Sequence, residues 1–211
     1  MSVTLLIIIV TVLISIQGFN NRSMFEKLKH HPYTEHRNKE YFRLLSAGFL
    51  HGNWPHLLIN MYVLYTFGEY VESKFLEDFG VMQGRMFYLL FYLAGIIAGC
   101  APTYLKHKNN PSFSSIGASG AVSSVLFAFV YFQPWSMLYL FFAIPIPAIV
   151  FAVLYLVYSS YAGNKESGAM IDHLGHFGGA VWGIFAIVIL MFNRLDDFIQ
   201  ALTNIPNLSI F

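Results

Sequence analysis

Six stretches of this chain, about residues 2–20, 54–70, 86–105, 115–133, 137–160 and 170–192, are long and apolar enough to cross a lipid bilayer. A hydrocarbon core about 30 Å thick needs roughly 20 apolar residues per helix. None of the six carries Lys, Arg or Glu in its interior, apart from Glu69 at one frayed end. Their apolarity is continuous and does not alternate with a period of two, which calls for helices and not barrel strands. Charged residues make up 11% of the chain, against about 25% in a soluble domain, so much of the surface must face lipid. The expected fold class is therefore all-α, a multi-pass integral membrane protein with six transmembrane helices.

Nothing in the pattern divides the chain. It has no linker, repeat or low-complexity tract, and residues 1–211 read as a single domain. Residues 2–19 form an apolar run with no basic segment before it and no Ala-x-Ala site after it, so it is expected to remain as the first span. The net charge is +1 and no Lys/Arg run offers a nucleic-acid surface. The one cysteine, Cys100, excludes an internal disulfide and is expected to be a buried small residue. The first loop, 21–53, is polar but studded with Met24, Phe25, Tyr41, Phe42, Leu44 and Leu45, and is expected to pack on the membrane surface. Asn53-Trp54-Pro55 places a capping side chain and a first-turn proline at the start of the second span. Pro145 and Pro147 lie in the fifth, which should be the least regular and the readiest to move.

Six spans put the first, third and fifth loops on one face. Those loops hold nine of the twelve Lys/Arg residues, and the positive-inside rule would set that face in the cytoplasm.

Polar groups inside a span are costly, and here they gather at one level. His56 and Asn60 open the second span, Ser119 the fourth and His176 the sixth. Even-numbered spans all start at the same face, so at ~1.5 Å per residue all four groups lie within about 10 Å of it. A serine in a membrane helix ordinarily bonds its own backbone. Ser119, however, is flanked by Gly117 and Gly120, which permit a tight turn and close substrate approach, while the free N–H groups of the helix start could hold an oxyanion. Gly179 and Gly183 share a helix face with His176 and form a G-x-x-x-G surface against which a neighbouring helix can lie. If that neighbour is the fourth span, Ser119 and His176 can pair as nucleophile and general base. His56 and Asn60, spaced i, i+4, share one face and can both donate to an oxyanion. Asp172 could orient His176 but is better placed to cap the sixth span. His173, one turn before His176, competes for the role of base.

These residues resemble the rhomboid intramembrane serine proteases across essentially all six spans. The G-x-S-G of that family appears as Gly117-Ala118-Ser119-Gly120, its histidine before G-x-x-x-G as His176 with Gly179 and Gly183, and its H-x-x-x-N as His56 and Asn60. Phe42-Arg43-Leu44-Leu45 is similar to its aromatic-arginine motif, with Tyr41 where Trp is usual, and Phe67-Gly68 with Glu72 to its structural acid. The resemblance implies a serine endopeptidase with a Ser119–His176 dyad and an oxyanion held by His56, Asn60 and the Ser119 N–H. It implies no cofactor and no metal. The implied partners are the lipid bilayer and transmembrane protein substrates, cut in or near their spans. It also implies a catalytic opening facing away from the cytoplasm. The expected location is a plasma or inner cell membrane, and the proline-bearing fifth span is the candidate substrate gate, with the loop 161–171 as a cap. One position departs from the family: where many relatives carry an aromatic residue four after the nucleophile, packed on the histidine, this chain has Ser123. Either another group holds the His176 ring or the pair is looser.

Two other functions fit the same residues. His51, His56, His173 and His176 lie near one face and could ligate zinc, although no H-E-x-x-H is present. A non-catalytic relative could bind membrane proteins without cutting them, but should then have lost the serine or the histidine.

Overall fold

The computed structural model describes residues 1–140, 143–164 and 172–205. Its helices are α1 (Val3–Asn20), α2 (Arg22–Leu28), α3 (Pro32–Asn38), α4 (Arg43–Ser46), α5 (Trp54–His107), α6 (Ser119–Phe132), α7 (Ala148–Asn164), α8 (His173–Leu190) and α9 (Leu195–Thr203). Two short strands, β1 (Met137–Leu140) and β2 (Ile144–Pro147), stand between α6 and α7. Among the described residues α1, α5 and α8 are long and apolar enough to cross a membrane, whereas α6 and α7 are apolar but shorter.

The second and third apolar stretches are the two legs of α5. The break is Gly80, whose φ of 73° belongs to the left-handed region that other residues enter only at a cost. Beyond it the second leg folds back on the first. The Phe75 ring lies 5.8 Å from Tyr88 and 5.7 Å from Phe91, and Phe79 lies 4.9 Å from Phe87. The charged residues between the apolar stretches ride on the helical turns leading into that bend. Asp78 there accepts a 2.7 Å bond from Arg194 Nε, fixing the start of α9, and this guanidinium holds the Asp78 carboxyl below the usual carboxylate range.

The fifth apolar stretch is helical only in its second part. β1 and β2 pair antiparallel, Met137 with Pro147, Leu138 with Ile146, Tyr139 with Pro145 and Leu140 with Ile144. Two prolines two residues apart each remove a helical hydrogen bond and clash with the preceding turn, at about 3 kcal/mol apiece. Both are tolerated on an edge strand, and α7 begins directly after Pro147.

α6 is the central helix, with every residue from Gly120 to Ala128 buried. Its main apolar cluster gathers Ile7 of α1, Leu57, Leu64, Phe75, Tyr88 and Phe91 of α5, and Ile187 of α8. α7 instead joins a second, smaller cluster through Ala148 and Ala152, which pack with Phe127, Val130 and Ala180.

α1 is held at its N-terminus by a buried carboxylate. Glu72 accepts from Val3 N, Thr4 N and Thr4 Oγ1, each at 2.8 Å, and so satisfies orphan donors at the positive end of the helix. Glu72→Ala should therefore strand buried donors and cost about 3 kcal/mol. A lowered thermal midpoint in detergent, partly restored in Glu72→Gln, is the expected result.

The long first loop is folded. The Arg43 guanidinium donates to Glu26 O at 2.8 Å, Lys29 O at 3.2 Å and Glu40 Oε2 at 2.7 Å. His30 and Ser115 exchange backbone bonds of 3.1 and 3.0 Å, tying this loop to the segment that leads into α6. Of the expected cap at 161–171, residues 165–171 lie outside the described residues.

Candidate active site

Ser119 is the first residue of the central helix, and the segment before it is fixed from three sides. Gly117 takes a φ of +119°, open to glycine alone without strain, and its N–H donates to Ala47 O at 3.0 Å. Ala118 N donates to His51 Nε2 at 3.5 Å. The tautomer of His51 follows from its other contacts. Ser15 Oγ donates to Phe49 O at 2.9 Å, so its oxygen accepts from His51 Nδ1 at 3.0 Å. Nε2 is then the unprotonated nitrogen and free to accept from Ala118. α1 thus steers the approach to Ser119 through a buried imidazole.

Burial, with a smaller contribution from His56 alongside, holds His51 down at about 3. It stays neutral when folded and regains an ordinary value near 6.5 when unfolded. Between these values the unfolded chain binds the extra proton, so stability is lost as pH falls below about 6.5 toward 3. Thermal midpoints measured down that range should fall less steeply in His51→Asn than in the wild type.

His56, on α5, lies near the turn before Ser119. A methyl group at Gly117 would stand 2.9 Å from His56 Nε2 and 3.8 Å from Ser119 Oγ, so imidazole and hydroxyl flank one point. The His56 ring also meets His51 edge-on at 4.9 Å. The Ser119 N–H, at the start of α6, has no intrahelical acceptor. The point between the His56 ring and the Ser119 hydroxyl therefore also lies beside the start of α6, where backbone N–H groups are free. Asn60 is buried and donates Nδ2 to its own helix at His56 O, at 2.9 Å, which commits one of its two amide hydrogens.

His176 is positioned by a seam of glycines. A methyl at Gly179 would fall on Gly120 O, and one at Gly183 on Ser124 O. α6 and α8 thus run parallel with their backbones in contact, and Ser124 Oγ crosses the seam to Gly179 O at 2.8 Å. The second leg of α5 joins them, since a methyl at Gly99 would lie 3.0 Å from Gly120 Cα and 3.2 Å from Gly175 O. His176 is one turn before Gly179, level with the start of α6.

Asp172 is the cap of α8. Its carboxylate accepts from Gly175 N at 2.7 Å, Thr103 Oγ1 at 2.9 Å and Ser115 Oγ at 2.8 Å, so its oxygens serve the helix start and its neighbours. Tyr155 of α7 stacks on the His176 ring, with centroids 6.1 Å apart and planes inclined by 21°, and the Tyr155 hydroxyl lies 2.5 Å from Ser123 Oγ. His173 packs edge-on to Tyr158 at 5.3 Å.

One cavity adjoins these groups, and a second opens between α5 and α7. The first, of about 20 Å³, lies behind Ser119, lined by Gly117, Ser115, His30, Cys100 and Asp172. The other, about 710 Å³, is an apolar groove between Leu58, Tyr62 and Phe67 of α5, Phe129 of α6, β1 and Phe151 of α7. Among the described residues no three His, Cys, Asp or Glu side chains come together as metal ligands, and His51 has both ring nitrogens engaged. Ser15, His51 as a holder of the turn before Ser119, and Tyr155 are contributors that the sequence pattern did not single out.

Sequence comparison meets this geometry. The Rhomboid domain matches residues 38–193, and the chain belongs to the rhomboid family. RHOMBOID-like protein 12, mitochondrial, of Arabidopsis thaliana is 29% identical over 152 residues, 65% of this chain and 43% of that protein. Presenilin-associated rhomboid-like protein A, mitochondrial, of Danio rerio is 30% identical over 68% of this chain and 36% of its own length. Rhomboid protease GluP of Bacillus subtilis is 30% identical over 72% of this chain and 26% of its own. The matched region thus spans less than half of each relative. The protein is an integral membrane protein of mostly helical fold.

Proposed function

We propose that this protein is an intramembrane serine endopeptidase in which Ser119 is the nucleophile and His176 its base. The observation that supports the proposal is the glycine seam between α6 and α8, which packs the helix bearing His176 against the helix that Ser119 opens, just after a turn that glycine alone makes without strain. Ser119 Oγ adds to the scissile carbonyl carbon while His176 accepts the hydroxyl proton. The oxyanion is held by the Ser119 N–H, His56 and the remaining amide hydrogen of Asn60. Collapse breaks the C–N bond, His176 returns the proton to the leaving amine, and an acyl-enzyme remains. His176 then draws a proton from water, whose oxygen adds to the ester carbon; the C–Oγ bond breaks, His176 returns the proton to Ser119 Oγ, and the acid product leaves. No cofactor takes part.

The proposed membrane arrangement is a single domain crossing six times, through α1, both legs of α5, α6, α7 and α8. The substrates are transmembrane proteins, cut in or near the span. The printed name Rhomboid protease GluP supports proteolysis, while the Arabidopsis and Danio relatives are named rhomboid-like. Two of these relatives are named as mitochondrial, so they lend no support to a plasma-membrane location, and the proposal extends only to action within a membrane. Purified protein in liposomes should cut a subset of single-span membrane proteins, with products absent for Ser119→Ala. Binding of such proteins without products, at equal levels for both forms, would instead favour a non-catalytic binder.

α7 is the proposed gate, because it packs through small residues in a cluster of its own and walls the apolar groove against α5. A thiol cross-linker joining cysteines at Leu58 and Phe151, both in that groove, should lower turnover of membrane-spanning substrates by ~10-fold or more while a small probe still reaches Ser119. Unchanged turnover would remove α7 from this role.

A further inference from the structure

Position 123, one turn after the nucleophile, carries a side chain too small to support an imidazole. Ser123 is buried, and its hydroxyl is spent on a 2.5 Å bond to the phenol of Tyr155. That phenol sits on a different helix, α7. Its ring lies over His176 at 6.1 Å with a 21° inclination, within the range of offset stacking. Phe127 of α6 backs the Tyr155 ring at 5.7 Å, and Phe151, one turn earlier on α7, meets it at 5.7 Å. Phe151 in turn lines the apolar groove. A continuous path of rings therefore runs from the groove wall through Phe151 and Tyr155 to His176.

We infer that Tyr155 is the positioning residue for His176, and that alignment of the Ser119–His176 pair depends on the seating of α7. The inference rests on the protease function proposed above. Ser123 and Tyr155 divide between two helices the work of one side chain: the α6 serine fixes the phenol, and the α7 ring fixes the imidazole. The residues that α7 buries are all small, namely Ala148, Ala152, Ser159 and Gly163. A shift of α7 that widens the groove carries Tyr155 away from His176. Access to the groove and alignment of the base consequently oppose each other, and full activity requires α7 to reseat around the substrate.

The test is the rate at which a fluorophosphonate probe labels the purified protein in detergent, measured against probe concentration. Tyr155→Phe keeps the ring and loses only the bond to Ser123, and should label within ~3-fold of wild type. Tyr155→Leu keeps apolar bulk but loses the ring. Its limiting rate should fall by ~10- to 100-fold with the half-saturating probe concentration unchanged, because misplacing a catalytic group by about 1 Å can cost 10²-fold. Thermal midpoints of the two variants, taken alongside, exclude unfolding as the cause. Equal limiting rates for Phe and Leu, whether both fast or both slow, would overturn the positioning role of Tyr155. Failure of the wild type itself to label would overturn the protease proposal instead.

Discussion

Replacing His176 with alanine should lower kcat/KM for a membrane-spanning substrate by about 10⁶-fold, close to the loss from Ser119→Ala. The two losses should not add. A serine hydroxyl is a weak nucleophile at neutral pH unless a base removes its proton, and a base without its serine has nothing to activate. The double variant should therefore resemble either single one. His56→Ala should cost less, about 10²-fold, since the α6 N-terminus continues to stabilise the oxyanion in its absence. His173→Ala should leave most activity in place, because its ring packs on Tyr158. Rates from initial product formation, with folding monitored by thermal midpoint, separate these cases.

Gly179→Ala should be the most damaging small substitution outside the reacting groups. The added carbon falls on Gly120 O, with Gly120 Cα at 2.8 Å, and a backbone atom of the central helix cannot turn aside as a side chain can. Overpacking of this kind costs about 1–3 kcal/mol. It also pushes α8 off α6 just below His176, so activity should fall by ~10²-fold or more in protein that remains folded. Gly183→Ala meets Ser124 O in the same way and should be nearly as harmful. Gly52→Ala is the control, since the nearest atom is Ile116 Cδ1 at 3.4 Å, an ordinary contact. Thermal midpoints and probe labelling of the three variants should fall in that order. Wild-type behaviour of Gly179→Ala would mean that the α6–α8 seam does not govern the pair.

Much of this architecture was legible because burial in lipid writes itself into composition. α1, α6 and α8 match the apolar stretches to within a few residues, and the glycines around Ser119 and after His176 marked where backbones approach. Hydropathy failed where it does not measure geometry. Lys74, Glu77 and Asp78 made residues 71–85 look like a loop, yet they decorate helical turns that run on to Gly80. Residues 137–147 are as apolar as a span, but alternating Pro145 and Pro147 with Ile144 and Ile146 favours an extended strand over 144–147. The two interhelical side-chain relays were hidden for a different reason. Tyr155 is one of 13 tyrosines among 21 phenylalanines, and only packing distinguishes it. His51 stood out as a possible metal ligand, whereas its bonds to Ser15 and Ala118 depend on the meeting of α1, the first loop and the start of α6. The absence of an aromatic residue at position 123 was the one local sign that the His176 ring needed support from elsewhere.

The most direct measurement is fluorophosphonate labelling of the detergent-solubilised protein followed by peptide mapping of the modified residue. The expected result is a single adduct on Ser119, formed in wild type and lost in His176→Ala. An adduct on another serine, or labelling of Ser119 that survives removal of His176, would contradict an activated Ser119–His176 pair.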